Sequence, residues 1–195
     1  MDNENNTIEL TVNEALVDYN KLYTYSDYLL WDDDKRRELI DGVPYLMSAP
    51  TRKHQKILGN LHIQFASLLK GKPCEVYFAP FDVRLNADTL DNTVVQPDLL
   101  VVCDREKLDE AGCIGAPDLV VEVLSPSTSR HDRILKFKTY LKCGIREYWI
   151  IDPVNETLEV HVLMGANYIT YPYAHTDNAP VHVLNGQSID LSEVF

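Results

Sequence analysis

Two neighbouring segments of the chain are apolar on both faces, and this restricts its possible folds more than any other feature. They are residues 93–103, TVVQPDLLVVC, and residues 116–125, APDLVVEVLS. A strand at a surface alternates apolar and polar residues, whereas a strand that is apolar throughout is covered on both sides. We therefore expect both segments in the middle of a mixed β-sheet flanked by helices, which is a mixed α/β fold class.

Two patterns predict the elements that precede these strands. Residues 36–47 form two apolar-alternating runs joined by Asp41-Gly42, a dipeptide that accepts the positive φ angles of a hairpin turn. Between Thr51 and Leu69 the apolar residues recur every three or four positions. This spacing predicts an amphipathic helix.

Serine residues indicate where two other helices begin. Ser26 is predicted to be the N-cap of a short helix. Ser129 is predicted to be the N-cap of a longer helix, in which Asp132 completes a capping box and which ends at Gly144. Further strands are expected at residues 74–85, 146–152, 157–164 and 167–173.

A length of 195 residues is typical of one domain, and we assign residues 13–195 to a single domain. Residues 1–12, rich in Asn and Glu, are predicted to form a flexible tail. No apolar run approaches the roughly 18 to 20 residues that cross a bilayer, and the N-terminus lacks a signal-peptide pattern. The sequence therefore predicts a cytoplasmic protein with no membrane partner.

The cysteine content and the net charge limit the function classes. The four cysteines, Cys74, Cys103, Cys113 and Cys143, show no zinc-binding spacing, so we expect reduced thiols that act as small apolar residues. The net charge of -12 lacks the basic excess that most nucleic-acid binders use to neutralise phosphates. A DNA-binding function then requires a local basic stripe or a bound metal ion that supplies positive charge.

Acidic residues interrupt the two apolar strands and are the main chemical signal. Asp98 opens one strand and Glu122 lies inside the other, where an unpaired carboxylate is costly to bury. Residues two apart share one face of a strand, so Asp118 points with Glu122. Two carboxylates on adjacent strands suit a hard cation such as Mg²⁺. A lysine beside them, Lys136 or Lys138 of the following helix, could stabilise charge on a phosphoryl group.

Each of these residues also has a purely structural interpretation. Asp98 and Asp118 suit the start of a strand, where they cap backbone N–H groups. Glu122 could belong to a structural ion pair, and His54 to the core.

The helix that follows Glu122 also allows a structural interpretation of its lysines. Counting 100° per residue predicts that Lys136 and Lys138 flank its buried stripe and are free to extend to solvent. The residues of the predicted stripe are Ile134, Phe137, Tyr140 and Leu141. The serine-rich segment 125–129 could bind a phosphate or only cap its helix.

Several spaced motifs together resemble a known family. They are Glu38-Leu-Ile-Asp-Gly42, Pro50-Thr-Arg-Lys-His54-Gln55, Pro97-Asp98, Val121-Glu122-Val-Leu-Ser125-Pro-Ser127, Asp132 with Lys136 and Tyr140, and Glu147-Tyr-Trp149-Ile-Ile-Asp152-Pro153. In this order they resemble the Uma-two family of restriction endonucleases, which is assigned to the PD-(D/E)XK nuclease superfamily. The resemblance spans roughly residues 20 to 175. It implies a restriction-endonuclease-like core, and often a homodimer.

The resemblance also implies roles for individual residues. Asp98 and Glu122 match the metal-binding carboxylates, Lys136 matches the catalytic lysine, and Glu38 matches an acidic position that binds a metal or orients water. The usual lysine two residues after the second carboxylate is Leu124 in this sequence. In this family the lysine is displaced to the following helix, and Lys138 is the alternative to Lys136.

The leading hypothesis is a metal-dependent endonuclease that uses Mg²⁺ or Mn²⁺ to hydrolyse DNA phosphodiester bonds. Two alternatives remain open. One is a non-catalytic, dimeric binding or scaffold module of the same fold, whose acidic surface suits protein partners. The other is a metal-dependent hydrolase of small phosphorylated compounds, which accounts for the net charge.

Overall fold

The computed structural model describes residues 17, 18, 20–125 and 129–195. The predicted tail, residues 1–12, lies outside these ranges. Three α-helices and fourteen strands are present in the described part of the chain. The helices are α1 Tyr25–Tyr28, α2 Arg52–Leu69 and α3 Phe137–Cys143. The strands are β1 Arg37–Ile40, β2 Val43–Leu46, β3 Glu75–Phe78, β4 Asp82–Arg84, β5 Val94–Val95, β6 Leu99–Val102, β7 Leu108–Asp109, β8 Gly112–Ile114, β9 Leu119–Val123, β10 Glu147–Asp152, β11 Thr157–Met164, β12 Asn167–Ala174, β13 Asn178–Val181 and β14 Gln187–Asp190.

The strands form two larger sheets and a short ribbon. The central sheet has the order β12-β11-β10-β9-β6-β3, with β9 and β10 parallel and the other neighbours antiparallel. The outer sheet has the order β2-β1-β5-β4-β8-β7, and β13 pairs with β14. The predicted fold class, a mixed sheet flanked by helices, is confirmed. The two doubly apolar segments supply β6 and β9, which are interior strands of the central sheet.

The central sheet is covered on both faces, which explains the apolar character of β6 and β9. Leu119, Val121 and Val123 face α2, where Leu61 and Phe65 are fully buried. The alternate residues of β9 face α3 and the outer sheet. Each fully buried side chain of this size contributes about 1.5–3 kcal/mol relative to an exposed one. Glu122 therefore lies on the α3 side of a tightly packed strand.

The predicted hairpin and the first long helix are confirmed. Strands β1 and β2 pair in antiparallel register around Asp41 and Gly42, whose φ angles are +47° and +82°. Helix α2 begins after Thr51, which is its N-cap. The Thr51 hydroxyl oxygen accepts a hydrogen bond from the His54 N–H at 3.2 Å. These two elements bring Glu38 of β1 and His54 of α2 to the same cavity.

Two predicted strands are each divided between the two larger sheets. The segment 74–85 becomes β3 and β4, with a turn at Ala79–Pro80. The segment 93–103 becomes β5 and β6, with Pro97 between them. Proline has no N–H to donate to a strand ladder, so pairing stops at both prolines and the chain crosses from one sheet to the other.

Both predicted serine N-caps are wrong. The N-cap of α1 is Thr24 and not Ser26. The backbone N–H and the hydroxyl of Thr24 both donate hydrogen bonds to the carboxylate of Asp27, three residues later. Ser129 already lies within the third helix, since its N–H donates to the Ser125 carbonyl four residues earlier. Residues 126–128 lie outside the described residues.

The predicted buried face of the third helix is correct for Tyr140 and Phe137, which pack in the core, and wrong for Ile134 and Lys136. Residues His131–Lys136 form a π-helical segment that continues into α3. A π-helical turn holds more residues than an α-helical one, so a count of 100° per residue misplaces residues within that segment. Ile134 is 49% exposed, whereas Lys136 is 3% exposed and Tyr140 is fully buried. Lys138 is exposed.

The expectation that all four cysteines are reduced is corrected for one pair. Cys74 and Cys103 form a disulfide, and Cys113 and Cys143 are free. The antiparallel pairing of Glu75 with Val102 brings the first two cysteines side by side, although they are 29 residues apart in the chain. Separately, none of the helices in the described ranges is long and apolar enough to cross a membrane.

Candidate active site

A buried lysine links the outer sheet, the central sheet and the third helix. Lys136 Nζ lies 2.8 Å from Glu38 Oε1 on β1 and 2.8 Å from Glu122 Oε1 on β9. Asp132 Oδ1, one helical turn before Lys136, lies 3.7 Å from the same nitrogen. All four side chains are at most 5% exposed. The residues predicted as the catalytic lysine, the second metal ligand and the auxiliary acid therefore meet at one point.

Neutral groups hold the two glutamates in place. The Tyr140 hydroxyl donates to Glu122 Oε1 at 2.7 Å, and the Gln96 backbone N–H donates to Glu38 Oε1 at 2.9 Å. Among the described residues, none donates a hydrogen bond to Glu122 Oε2. One oxygen of Glu122 is thus bound to the protein, and the other remains available to a ligand.

The electrostatics of the cluster favour a protonated Lys136. Burial lowers the pKa of Lys136, but the attraction of Glu122, Glu38 and Asp132 outweighs burial and raises it well above its ordinary value. Burial raises the pKa of Glu122, and the repulsion of Asp132, Asp98 and Glu38 raises it further, against the opposing effect of Lys136. Burial also raises the pKa of Glu38, but Lys136 and the hydrogen bonds that Glu38 accepts lower it to about 2. Acidification therefore protonates Glu122 before Glu38.

Asp98 lies on the same side of the sheet as Glu122. The antiparallel register that pairs Leu99 with Val121 brings Asp98, which directly precedes β6, beside Glu122. Asp98 Oδ2 is 3.0 Å from His54 Nε2 and accepts a hydrogen bond from the Val123 N–H at 2.8 Å. None of the described residues donates to Asp98 Oδ1. Asp98, like Glu122, therefore keeps one carboxylate oxygen without a donor in the described part of the chain.

His54 is fixed against Asp98 rather than directed into the core. Burial lowers the pKa of His54, but the hydrogen bond and the charge of Asp98 outweigh burial and raise it above its usual value. This favours an imidazolium that donates to Asp98, which keeps its orientation.

These residues line a cavity of about 450 Å³. Among its lining residues Glu38, Glu122, Asp132 and Lys136 are buried, whereas most residues of the segment that follows β2 are exposed. Lining side chains are Arg36, Glu38, Tyr45, Leu46, Met47, Ser48, Ala49, Pro50, Thr51, His54, Gln55, Leu58, Ala79, Asp98, Glu122, Val123, Ser125, His131, Asp132 and Lys136. A volume in this range accommodates a small ligand or one unit of a polymer.

The donor set is compatible with a divalent cation. No group of three or more His, Cys, Asp or Glu side chains ready to bind a metal occurs in the ranges that the structure describes. Mg²⁺, however, is commonly held by one or two carboxylates together with substrate phosphate and water. Asp98 and Glu122 share this cavity, and each has one oxygen that accepts no hydrogen bond from a described residue, so they meet this requirement.

Two further candidate residues, Asp118 and Lys138, lie outside the cavity, whereas His131, which was not a candidate, lines it. Asp118 shares a face with Glu122 but accepts hydrogen bonds from Arg146 and from the Cys103 N–H, as expected of a strand-entry aspartate. Lys138 is absent from the cavity lining. His131 was not predicted, and its Nε2 lies 3.7 Å from Glu38 Oε2. No local motif marks His131, because only the π-helical segment turns it towards the outer sheet.

Comparison with known proteins agrees with this architecture. The family model for Uma2, described as "Putative restriction endonuclease", matches residues 25–192. This chain belongs to the Uma2 family. The resemblance inferred from the spaced motifs is thus confirmed, and it covers the hairpin, the cavity and the third helix.

One relative of the Uma2 chain and one solved structure extend the comparison. An uncharacterized protein of Synechocystis sp., slr1290, is 30% identical over 171 residues, which cover 86% of this chain and 82% of that relative. A solved structure from Anabaena variabilis, titled a "putative nuclease belonging to DUF820", superimposes with a TM-score of 0.72. At 22% identity it covers 89% of this chain and 97% of that structure, and it shows that the two proteins share a fold.

Proposed function

We propose that this chain is a metal-dependent endonuclease that hydrolyses phosphodiester bonds of DNA. The observation that carries the proposal is the buried contact of Lys136 with Glu122 in the wall of a cavity that Asp98 also lines. A carboxylate pair beside a protonated amine suits phosphoryl transfer, in which negative charge develops on phosphoryl oxygens. The family to which the chain belongs supports the same reaction class.

Asp98 and Glu122 would hold Mg²⁺ or Mn²⁺. When bound, such an ion polarises a phosphoryl oxygen and lowers the pKa of a coordinated water. Asp98 keeps its orientation through His54 and the Val123 N–H, and Glu122 through Tyr140. Because each carboxylate uses one oxygen for these contacts, its other oxygen can face the ligand.

Lys136 would donate a hydrogen bond to the reacting phosphoryl group. Its Nζ has three protons, and it contacts Glu38 and Glu122 at hydrogen-bonding distance. Asp132 Oδ1 lies farther away, at 3.7 Å, so the third proton would be donated to substrate. Glu38 is a positioning residue in this account, since its contact with Lys136 holds the ammonium beside Glu122.

A cleavage assay tests the proposal. Supercoiled plasmid and single-stranded circular DNA are incubated with Mg²⁺ or Mn²⁺ and with the wild type, Glu122→Gln, Asp98→Asn or Asp118→Asn. We expect metal-dependent cleavage by the wild type and by Asp118→Asn, whose carboxylate is engaged by Arg146 outside the cavity. Equal cleavage by Glu122→Gln and the wild type would refute the assignment.

A second candidate is a metal-dependent hydrolase of small phosphorylated compounds. The net charge of -12 and the modest cavity favour it, because a small substrate needs no extended basic surface. Thermal-shift measurements with nucleotides and Mn²⁺, set beside a DNA gel shift at low salt, separate the two. Stabilisation by nucleotides without a DNA shift supports the second candidate.

The family resemblance also supports a homodimer, which would present two cavities to one duplex. Sedimentation equilibrium measures the mass of the assembly. A mass of one chain at all concentrations would rule out this part of the proposal.

A further inference from the structure

The basic side chains that line the cavity differ in whether a carboxylate lies beside them. Lys136 contacts Glu38 and Glu122, and His54 contacts Asp98. His131 lies 3.7 Å from Glu38. Arg36 also lines the cavity, but it makes no ion pair with any described residue. Its positive charge is therefore available to an anion.

A neutral amide holds the Arg36 guanidinium in place. Nε and Nη2 donate to Gln96 Oε1 at 3.2 and 2.8 Å, and neither bond involves Nη1. Gln96 is 8% exposed, and its own Nε2 donates to Asp82 Oδ1 at 2.8 Å. Asp82 forms no ion pair with Arg36, although burial raises the pKa of Asp82 and the charge of Arg36 partly opposes that rise. An amide acceptor orients a guanidinium without cancelling its charge, whereas a carboxylate would do both.

The backbone places Arg36 on the same side as the catalytic cluster. Arg36 precedes β1 by one residue, and its carbonyl accepts from the Met47 N–H at 3.0 Å, which extends the β1–β2 ladder. Glu38 is two residues further along and shares that face. Gln96 joins the two positions directly, since its backbone N–H donates to Glu38 and its side chain accepts from Arg36.

We propose that Arg36 is the substrate-binding residue of this cavity and that it contacts a phosphate adjacent to the scissile phosphodiester. This inference rests on the proposed function, and it names the group that recognises the polyanionic backbone in a chain with net charge -12. A guanidinium whose Nη1 donates to no described residue suits a phosphate oxygen better than it suits a neutral substrate group. Arg36 is thus expected to act in binding, and Lys136 in the chemical step.

The test separates binding from cleavage. Fluorescence anisotropy with a short fluorescein-labelled DNA strand is recorded in Ca²⁺ and again in EDTA, over a range of salt concentrations, for the wild type, Arg36→Gln, Arg36→Lys and Arg105→Gln. Arg105 is an exposed arginine outside the cavity and serves as the matched control. Arg36→Gln should weaken binding about ten-fold and reduce the slope of log Kd against log salt by about 0.7 to 1.

The other variants make the result specific. Arg36→Lys should retain the slope of log Kd against log salt, because it keeps the positive charge. It should lose part of the affinity, because lysine lacks the planar guanidinium that Gln96 orients. In cleavage assays Arg36→Gln should raise KM and leave kcat within about two-fold. If the wild type does not cleave DNA, the proposed function fails, but the difference in DNA affinity between the wild type and Arg36→Gln still tests the role of Arg36 in binding. Wild-type affinity in Arg36→Gln, or a wild type that binds no DNA strand, would overturn the proposal.

Discussion

Lys136 Nζ lies 2.8 Å from Oε1 of Glu122, and both side chains are at most 5% exposed. Removing two charges from water costs several kcal/mol per ion, and the mutual attraction often only balances that cost. A buried ion pair in the wall of a cavity therefore indicates a functional requirement more than a stabilising one. This interpretation predicts that activity is lost on changes at either residue, whereas stability is lost only when Lys136 is removed.

Lys136→Met should destabilise the fold and abolish cleavage. It leaves Glu38 and Glu122 buried without their shared cation, which we expect to lower the free energy of unfolding by about 3 kcal/mol. Lys138→Met, two residues away on an exposed position, is the matched control and should change neither property. Urea unfolding followed by circular dichroism measures the difference. Equal stability of the two variants would show that Lys136 is not needed to neutralise the cluster.

Glu122→Gln should abolish cleavage without a loss of stability. Burial raises the pKa of Glu122, Lys136 opposes that rise, and the neighbouring carboxylates add to it, so the folded protein holds the Glu122 charge at a higher free energy than water does. Glutamine has similar shape, and its carbonyl oxygen can still accept from Lys136 and Tyr140. We expect cleavage to fall at least about 100-fold and the thermal midpoint to stay the same or rise. A midpoint lowered as far as in Lys136→Met would contradict this account.

Acid should destabilise the protein through His161, which is buried beneath the third helix. Burial lowers the pKa of His161 below its usual value of 6.5. A group with a depressed folded-state pKa contributes stability above its unfolded pKa and loses it as the pH falls through the folded value. The thermal midpoint should therefore decrease from about pH 7 to about pH 5.

The variant His161→Phe isolates this contribution. Phenylalanine can pack against Phe137, Tyr148 and Tyr168, whose rings surround the imidazole. We expect a flatter midpoint profile over the same pH range in this variant than in the wild type. His62→Phe, at a partly exposed position, should retain the wild-type slope. Identical slopes in all three proteins would exclude His161 as the source.

The Cys74–Cys103 disulfide predicts two free thiols in the denatured, unreduced chain. Cys113 and Cys143 supply them. Titration with a thiol reagent in guanidinium chloride should therefore detect two thiols before reduction and four after it. Because the bond closes a loop of 29 residues, reduction should lower the free energy of unfolding by about 3–4 kcal/mol. Four thiols before reduction would contradict the bond.

The sequence was sufficient to predict the central strands and the two carboxylates they carry. An apolar strand must be covered, and an acidic residue inside it needs a partner, so β6, β9, Asp98 and Glu122 follow from local pattern. The hairpin follows equally from Asp41-Gly42, because few dipeptides accept two positive φ angles.

Features that depend on tertiary structure could not be predicted in this way. Lys136 occupies a buried position because the helix has a π-helical segment. No known residue propensity in the sequence indicates a π-helical turn at this place. Cys74 and Cys103 meet through strand pairing, and the prolines that divide two strands between two sheets act only in the folded context. Arg36 has an ordinary sequence environment, and its role depends on the side chain of Gln96, 60 residues away.

Isothermal titration with Mn²⁺ tests the central claim most directly, because it measures whether Asp98 and Glu122 bind one cation. The wild type, the double variant Asp98→Asn with Glu122→Gln, and Asp118→Asn are titrated under the same conditions. We predict one binding site per chain in the wild type and in Asp118→Asn, and no measurable binding in the double variant. Binding of Mn²⁺ to the double variant with wild-type affinity, or no binding to the wild type, would contradict the assignment of a metal site to these two carboxylates.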